Sequence, residues 1–182
     1  MRKLFRKLSQ QASGAGQPLQ VAAVCYRVRE FSVEFLLVKT SSGKWTFPKG
    51  RIEPVLGATD SAAREAWEEA GVRGQIDEQH FGFYLDTKRS LAQDNRMREI
   101  IVASFLLEVR STAAPEETHR NPTWFAPQQA KKKLQESRSA EYAEQICNIV
   151  DTAVQHVMTR TMPFLPGYAV RHKSGRLTAS AK

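Results

Sequence analysis

The stretch Ala63-Arg64-Glu65-Ala66-Trp67-Glu68-Glu69-Ala70-Gly71-Val72 decides how the rest of this chain is interpreted. If it is helical, residues 65, 68 and 69 have the i, i+3, i+4 spacing that puts three carboxylates on one face. Mg²⁺ binds through a few carboxylate oxygens and keeps water or substrate phosphate for its other positions, so the spacing is compatible with a magnesium site. The alternative is an ordinary solvated face of a surface helix.

The neighbouring residues predict where this helix begins and ends. Thr59 or Asp60 is a suitable N-cap, and Gly71 is placed to close the helix in the left-handed conformation after Ala70. A stripe of small residues on the opposite side from the carboxylates predicts close packing on a sheet. This stripe consists of Ala62, Ala66 and Ala70.

Short apolar runs predict strands on both sides of the helix, and two further helices follow. The predicted strands cover 20–27, 34–38, 81–86 and 99–110, a turn is expected at 41–43, and the later helices cover 127–135 and 140–158. Strands, one helix, more strands and then helices predict a mixed α/β or α+β sandwich.

Length and cysteine content restrict the class of protein. The 182 residues are enough for one domain with a substantial core, and no apolar run approaches the ~20 residues that span a bilayer, so a membrane partner is not expected. Cys25 and Cys147 are the only cysteines and form no CxxC pair. This excludes a disulfide framework and favours a reducing, cytoplasmic location.

The net charge of +8 belongs to the two ends of the chain. Residues 1–19 hold four bases and residues 160–182 hold five, with no acid in either segment. We therefore expect a basic flexible arm at 1–19, a folded domain at 20–160 and a basic tail at 161–182. An organelle transit peptide is the alternative for the N-terminus. A nucleic-acid partner is not expected, because no stacking-aromatic or groove-helix pattern accompanies the charge.

The segment from Gly50 to Val72 resembles the signature of the Nudix hydrolases, G-x5-E-x7-R-E-U-x-E-E-x-G-U, in which U is a bulky aliphatic residue. Leu56 stands where the first Glu belongs, Ala66 is smaller than the usual aliphatic residue, and Glu53 would need a changed loop path to replace the missing Glu. The matching positions are Gly50, Arg64, Glu65, Glu68, Glu69, Gly71 and Val72.

Short runs outside the signature, such as Leu36-Leu37-Val38 and Trp45 before Pro48-Lys49-Gly50, look most like the diphosphoinositol polyphosphate phosphohydrolase branch and its bacterial relatives. The resemblance covers roughly residues 20–135. It implies an α/β/α sandwich around a mixed sheet, with an additional C-terminal helix.

The resemblance also implies a Mg²⁺-dependent pyrophosphohydrolase, with Mn²⁺ as an alternative ion. Its partner would be a small polyphosphate, such as a diphosphoinositol polyphosphate or a dinucleoside polyphosphate. Glu65, Glu69 and the backbone carbonyl of Lys49 would bind the metal, and Glu68 would be the general base or hold a metal-bound water. Arg64 would orient Glu68.

Substrate phosphates would be met by the close approach of the Gly50 backbone and by basic side chains. The expected bases are Arg27, Lys44, Arg96, Arg98 and Arg120, and Glu116 or Glu117 would be candidates for a more distant acid. Two other functions stay open. One is a Nudix-like phosphate- or RNA-binding module with little hydrolysis, and the other is a hydrolase of nucleotide sugars or damaged nucleotides.

Overall fold

A computed structural model describes residues 19–30, 32–89, 97–136 and 138–161, without the side chains of 88, 89, 97 and 98. The strands are β1 (Leu19–Arg29), β2 (Ser32–Lys39), β3 (Trp45–Thr46), β4 (Lys49–Arg51), β5 (Val72–Ile76), β6 (Gly82–Arg89), β7 (Met97–Thr112) and β8 (Thr123–Phe125). The helices are α1 (Gly57–Ala70), α2 (Pro127–Gln135) and α3 (Ala140–Thr161), with a 3₁₀ turn at Thr118–Arg120. The predicted elements are therefore present, and most of them are longer than their sequence patterns indicated.

The strands form one mixed sheet in the order β3-β2-β1-β7-β5, with β4 paired to β1, β6 to β7 and β8 to β2. The β1–β7 pair is parallel, from Leu19 opposite Ile101 to Tyr26 opposite Glu108. The remaining pairs are antiparallel. A central parallel pair needs a long connection over a face of the sheet, and α1 lies within the segment that joins these two strands.

Alternating side chains of β1 divide the core between the two faces of the sheet. Val21, Ala23 and Cys25 belong to a cluster that includes the alanine stripe of α1 at positions 62, 66 and 70. Ala22 and Val24 belong to a second cluster, which includes residues of α2 and α3. The sheet therefore lies between α1 on one side and α2 with α3 on the other, which confirms the α/β/α sandwich.

The start of α1 differs from the prediction, whereas its end agrees with it. The helix begins at Gly57 after Leu56, and no side chain caps it. A tight turn replaces the cap, because the N–H groups of Leu56 and Gly57 both donate to the carbonyl of Glu53. At the other end Gly71 has φ 65°, the left-handed conformation expected of it.

Strand β5 was not predicted, since its central residues are exposed and polar or glycine and provide no apolar alternation. It pairs with β7 at the edge of the sheet directly after Gly71. Cys25 and Cys147 are both free and buried. Within the described ranges, none of the helices is long and apolar enough to cross a membrane.

Candidate functional site

Strand β4 brings the backbone of Gly50 against the carboxylate of Glu65. In the β1–β4 ladder Val21 lies opposite Gly50, which fixes the height of this glycine on the sheet. A Cβ atom on Gly50 would lie 1.6 Å from Oε1 of Glu65, so no other residue type fits while Glu65 keeps this position. Burial, and then the charges of Glu68 and Glu117, raise the pKa of Glu65 above its ordinary value.

Glu69 is the buried member of the acidic face, with 2% of its surface exposed. Its Oε2 accepts the backbone N–H of Lys49 at 3.1 Å, and its Oε1 lies 2.6 Å from Nη2 of Arg120. Burial raises the pKa of Glu69 to about 7, although Arg120 and the Lys49 N–H act in the opposite direction. The carboxylate is thus held by a helix, a strand and a loop together.

Arg64 connects Glu68 to the loop that precedes α1. Its Nε lies 2.6 Å from Oε1 of Glu68, and its Nη1 lies 2.7 Å from Oε2 of Glu53. The backbone of Glu53 is itself fixed, because its N–H donates to Oγ of Ser61 at 2.9 Å and its carbonyl accepts the two N–H groups that open α1. Glu53 therefore reaches Arg64 from three positions before Leu56, which was not expected from the sequence.

The loop after β7 is attached to the end of α1. Ala113 N–H donates to the Gly71 carbonyl at 2.7 Å, and Glu117 N–H donates to the Glu68 carbonyl at 2.9 Å. These bonds satisfy carbonyls at the helix C-terminus that have no partner within the helix. They also deliver Glu117 and Arg120 to the acidic face, where Arg120 Nε lies 2.6 Å from Oε2 of Glu117.

These groups meet in a cleft of about 1020 Å³. Among the described residues, six acidic and five basic side chains line it together with Gly50. They are Glu53, Glu65, Glu68, Glu69, Asp86 and Glu117, and Lys44, Lys49, Arg51, Arg120 and Arg138. Most of the residues proposed from the sequence as metal ligands, base or substrate contacts therefore line one cavity.

Three of the proposed substrate-binding bases are not brought to the cleft by the described part of the chain. Arg27, near the end of β1, lies 2.6 Å from Oε2 of Glu34 and stacks over the ring of Trp124. The guanidinium of Arg27 is therefore paired with Glu34 and stacked on Trp124, outside the cleft, and it has no part in the function proposed below. Arg96 lies outside the described residues, and so does the side chain of Arg98, whose backbone belongs to β7.

Sequence analysis missed several residues of the cleft. Glu53 and Arg51 flank the loop of the motif and could have been found by their closeness to Gly50. Asp86, whose Oδ2 lies 3.3 Å from Nζ of Lys49, belongs to strand β6 and has no distinguishing signal in the sequence. Arg138 comes from the connection between α2 and α3, far along the chain, so only the fold shows its place.

Of the two acids proposed as more distant candidates, Glu117 lines the cleft, while Glu116 accepts a hydrogen bond from Trp67 Nε1 at 2.9 Å.

The candidate donor set fits a hard divalent cation such as Mg²⁺, since it consists of carboxylate oxygens and the carbonyl oxygen of Lys49. Glu65 makes no ion pair with any described residue, although it is partly buried beside other carboxylates. Within the described ranges no group of three acidic, histidine or cysteine side chains is already arranged around one point. Glu69 and Glu68 are instead paired with Arg120 and Arg64, so an ion at Glu69 would take the place that Arg120 now has.

The matched family model is described as the NUDIX domain and spans residues 18–146. A "MutT-like protein" from Streptomyces ambofaciens is 25% identical over 154 residues, which are 82% of this chain and 90% of that protein. "Diphosphoinositol polyphosphate phosphohydrolase 2" from Rattus norvegicus is 31% identical over 132 residues, which are 70% of this chain and 69% of the rat protein.

Among solved structures, the binary complex of a C. elegans Ap4A hydrolase superposes with a TM-score of 0.56 at 19% identity. The match covers 77% of this chain and 97% of that structure. At this identity the likeness concerns the fold, which agrees with the sandwich described above. The family match over most of the chain and the carboxylate face on α1 lead to one conclusion: the chain belongs to the Nudix family and is a hydrolase of phosphorus-containing anhydrides.

Proposed function

We propose that this chain is a Mg²⁺-dependent pyrophosphohydrolase that cleaves a diphosphate linkage in a highly phosphorylated small molecule. The observation that supports it is the position of Glu65, a partly buried carboxylate that has no ion-pair partner among the described residues. It lies against the bare backbone of Gly50, inside a cleft with Glu68 and Glu69. The rat relative, whose name assigns it diphosphoinositol polyphosphates, supports that substrate class, and dinucleoside polyphosphates are the second candidate.

The residues of the acidic face divide two tasks between them in this proposal. Glu65, Glu69 and the carbonyl of Lys49 would hold Mg²⁺ or Mn²⁺, which would supply positive charge to the phosphate oxygens. Glu68 accepts the proton of the attacking water, and its carboxylate is oriented for that purpose by Arg64. The bare backbone of Gly50 leaves room for the Glu65 carboxylate at the wall of the cleft.

Two further expectations remain part of this proposal. The free thiols of Cys25 and Cys147 are compatible with a reducing cytoplasm. The basic arm at 1–19 and the basic tail at 161–182 lie almost wholly outside the described residues, and we assign them no part in the reaction. The catalytic unit is the domain at 20–160.

The direct test is hydrolysis of a panel with Mg²⁺. The panel contains a diphosphoinositol polyphosphate, a dinucleoside tetraphosphate, a nucleoside diphosphate sugar and an oxidised nucleoside triphosphate. Turnover of either of the first two is expected, and no turnover of any member would contradict the proposal. Preference for the third or fourth would favour the nucleotide-sugar or damaged-nucleotide alternative.

Glu68→Gln tests the assigned base. We expect kcat to fall by about 10²-fold or more, because positioned proton transfer contributes that much, while the circular dichroism spectrum stays the same. Glu78→Gln is the matched control, since Glu78 is exposed, lies outside the cleft and loses the same charge. Normal turnover by the Glu68 variant would refute its role.

A further inference from the structure

The charges of the cleft differ in how far they are already neutralised. Two of its five basic side chains are committed to carboxylates. Lys49 lies 3.3 Å from Asp86, and Arg120 lies 2.6 Å from both Glu69 and Glu117. These two bases therefore belong electrostatically to the acidic side of the cleft.

The other three bases, Lys44, Arg51 and Arg138, have no carboxylate within 4 Å among the described residues. They come from three separate parts of the fold. Lys44 ends the turn between β2 and β3, Arg51 is the last residue of β4, and Arg138 lies between α2 and α3. Three elements thus each bring one uncompensated positive charge to the same cavity.

Arg138 is held in place without losing its charge. Its Nη1 donates to the carbonyl of Trp45 at 3.0 Å and also to the carbonyl of Leu134. Neutral carbonyls fix the guanidinium but leave its charge and its other N–H groups for a partner. The bond to Trp45 also ties Arg138 to the strand that follows Lys44, so these two bases are positioned relative to each other.

A concave surface concentrates the field of such charges, which favours a multiply charged anion over water. Phosphate is the anion that fits these bases best, because the guanidinium of an arginine can bind two of its oxygens and a lysine adds a point charge. The phosphates at the scissile bond are expected near Glu65 and Glu68, which are acidic. A second anionic group of the substrate would match the three bases that have no carboxylate partner among the described residues.

We infer that Lys44, Arg51 and Arg138 form a phosphate-binding wall for substrate phosphates other than the two joined by the cleaved bond. The inference rests on the proposed function and narrows its substrate class. Molecules with three or more phosphates engage this wall, whereas a nucleoside diphosphate sugar, with only two phosphates, leaves it unused. The wall therefore separates the polyphosphate hypothesis from the nucleotide-sugar hypothesis, which the sequence alone did not separate.

Binding of inorganic tripolyphosphate, measured by calorimetry in EDTA, tests the wall without catalysis. We expect Arg51→Gln to raise Kd about tenfold, because it removes one charge-assisted contact. Lys132→Gln is the matched control, since Lys132 is exposed on α2 outside the cleft and loses the same charge. Its Kd should stay within about twofold of that of the unmodified protein.

Arg138 is tested by Arg138→Lys as well as Arg138→Gln, because the side chain also binds two backbone carbonyls. If Arg138→Gln fails to fold, the tripolyphosphate affinities of Arg51→Gln and Lys44→Gln still test the proposal. The proposed phosphate-binding wall would be refuted if these two variants bound tripolyphosphate with unchanged affinity. It would also be refuted if Lys132→Gln raised the Kd as much as they do.

Hydrolysis with Mg²⁺ gives the second readout. For a dinucleoside tetraphosphate, Arg51→Gln should lower kcat/KM about tenfold, mostly through KM, and it should leave kcat/KM for ADP-ribose within about twofold. Equal losses for both substrates would overturn the wall, since the arginine would then serve the diphosphate itself. If the unmodified protein hydrolyses no member of the panel given above, the proposed function fails, and the tripolyphosphate experiment still tests the phosphate-binding wall by itself.

Discussion

Arg120 and Glu69 form the most buried ion pair of the cleft, with Nη2 and Oε1 2.6 Å apart and the two side chains 19% and 3% exposed. The pair joins the loop after β7 to the helix that carries the acidic face. Because Arg120 also lies 2.6 Å from Glu117, one guanidinium compensates two carboxylates from different elements. When no metal ion is bound, the guanidinium of Arg120 supplies the positive charge that faces the carboxylates of Glu69 and Glu117.

We first predict that Arg120→Gln destabilises the metal-free protein. Removing one partner of a buried pair leaves the other charge uncompensated, and Glu69 escapes part of that cost by binding a proton. The free energy of unfolding at pH 7.5 should fall by about 2 kcal/mol. Urea denaturation in EDTA measures it.

Lys133→Gln is the control, because Lys133 forms an exposed pair with Glu136 at 2.8 Å. Such surface pairs contribute less than about 1 kcal/mol, so this variant should be nearly as stable as the unmodified protein. If the two variants were equally stable, Arg120 would not have the compensating role described here.

The second prediction concerns the pH dependence of stability. The pKa of Glu69 is about 7 in the folded protein, against 4.5 for an ordinary glutamate. Between these values the folded protein keeps a proton that the unfolded chain has released, so stability falls as pH rises from about 4.5 to 7. Over this window the contribution of Glu69 is of the order of 3 kcal/mol.

Glu69→Gln removes the titrating group and should flatten this part of the profile. The measurement is the difference in unfolding free energy between the two proteins, taken in EDTA at several pH values from 4 to 8. A difference that does not change with pH would show that Glu69 has an ordinary pKa.

The third prediction concerns Gly50→Ala. The new methyl group would overlap the Glu65 carboxylate, so the side chain must leave its position. We expect metal affinity to fall at least about tenfold, as it does when the support of a ligand is lost. Titration with Mn²⁺, followed by electron paramagnetic resonance, measures this affinity directly.

A double-mutant cycle shows whether the effect passes through Glu65. Glu65→Gln alone and Gly50→Ala alone should weaken Mn²⁺ binding, and the double variant should be little worse than either. Additive losses would mean that the glycine acts on the site in some other way.

The fourth prediction assigns Glu53 the task of holding Arg64. Glu53→Gln should lower kcat about tenfold with little change in KM, because Glu68 loses its oriented neighbour while the substrate contacts stay. Stability should change by less than about 1 kcal/mol, since both side chains are about half exposed to solvent. Asp60→Asn, an exposed change at the start of the same helix, is the control and should leave kcat unchanged.

Rescue gives this prediction a second readout. Leu56 occupies the signature position of the missing Glu, so the combination of Glu53→Gln with Leu56→Glu offers Arg64 a carboxylate from the expected place. Recovery of kcat would support the positioning role. A loss of kcat that Leu56→Glu does not restore, together with an unchanged fold, would point to direct contact between Glu53 and the substrate.

The parts of the fold that could be predicted are those encoded locally. The spacing of Glu65, Glu68 and Glu69, the small residues at 62, 66 and 70 and the glycine at 71 each constrain one helix directly. The start of that helix was placed too late because the controlling contact is a turn at the Glu53 carbonyl and involves no capping side chain. Strand β5 is short and polar at its centre, so only its pairing with β7 identifies it.

The residues of the cleft, like the elements of the fold, could be predicted only where they are encoded locally in the sequence. The acidic residues proposed as metal ligands could be predicted because they share one helix, whereas the bases that line the cavity come from separate elements. Arg27 was a reasonable candidate until its partner Glu34 was known, and Arg138 had no signal in the sequence, because its position depends on the packing of α2 and α3. Which charges remain unpaired is a property of the assembled fold.

The register that places Val21 opposite Gly50 has a consequence for how the substrate specificity of this enzyme can evolve. The carboxylate of Glu65 is located by the central strand of the sheet, whereas Lys44 and Arg138 lie on connections at the edge of the cleft. Substitutions in those connections can alter which molecule is recognised without moving the group that is proposed to support the chemistry. New specificities are therefore more readily reached through the loops than through the acidic helix, and directed evolution of this chain should begin there.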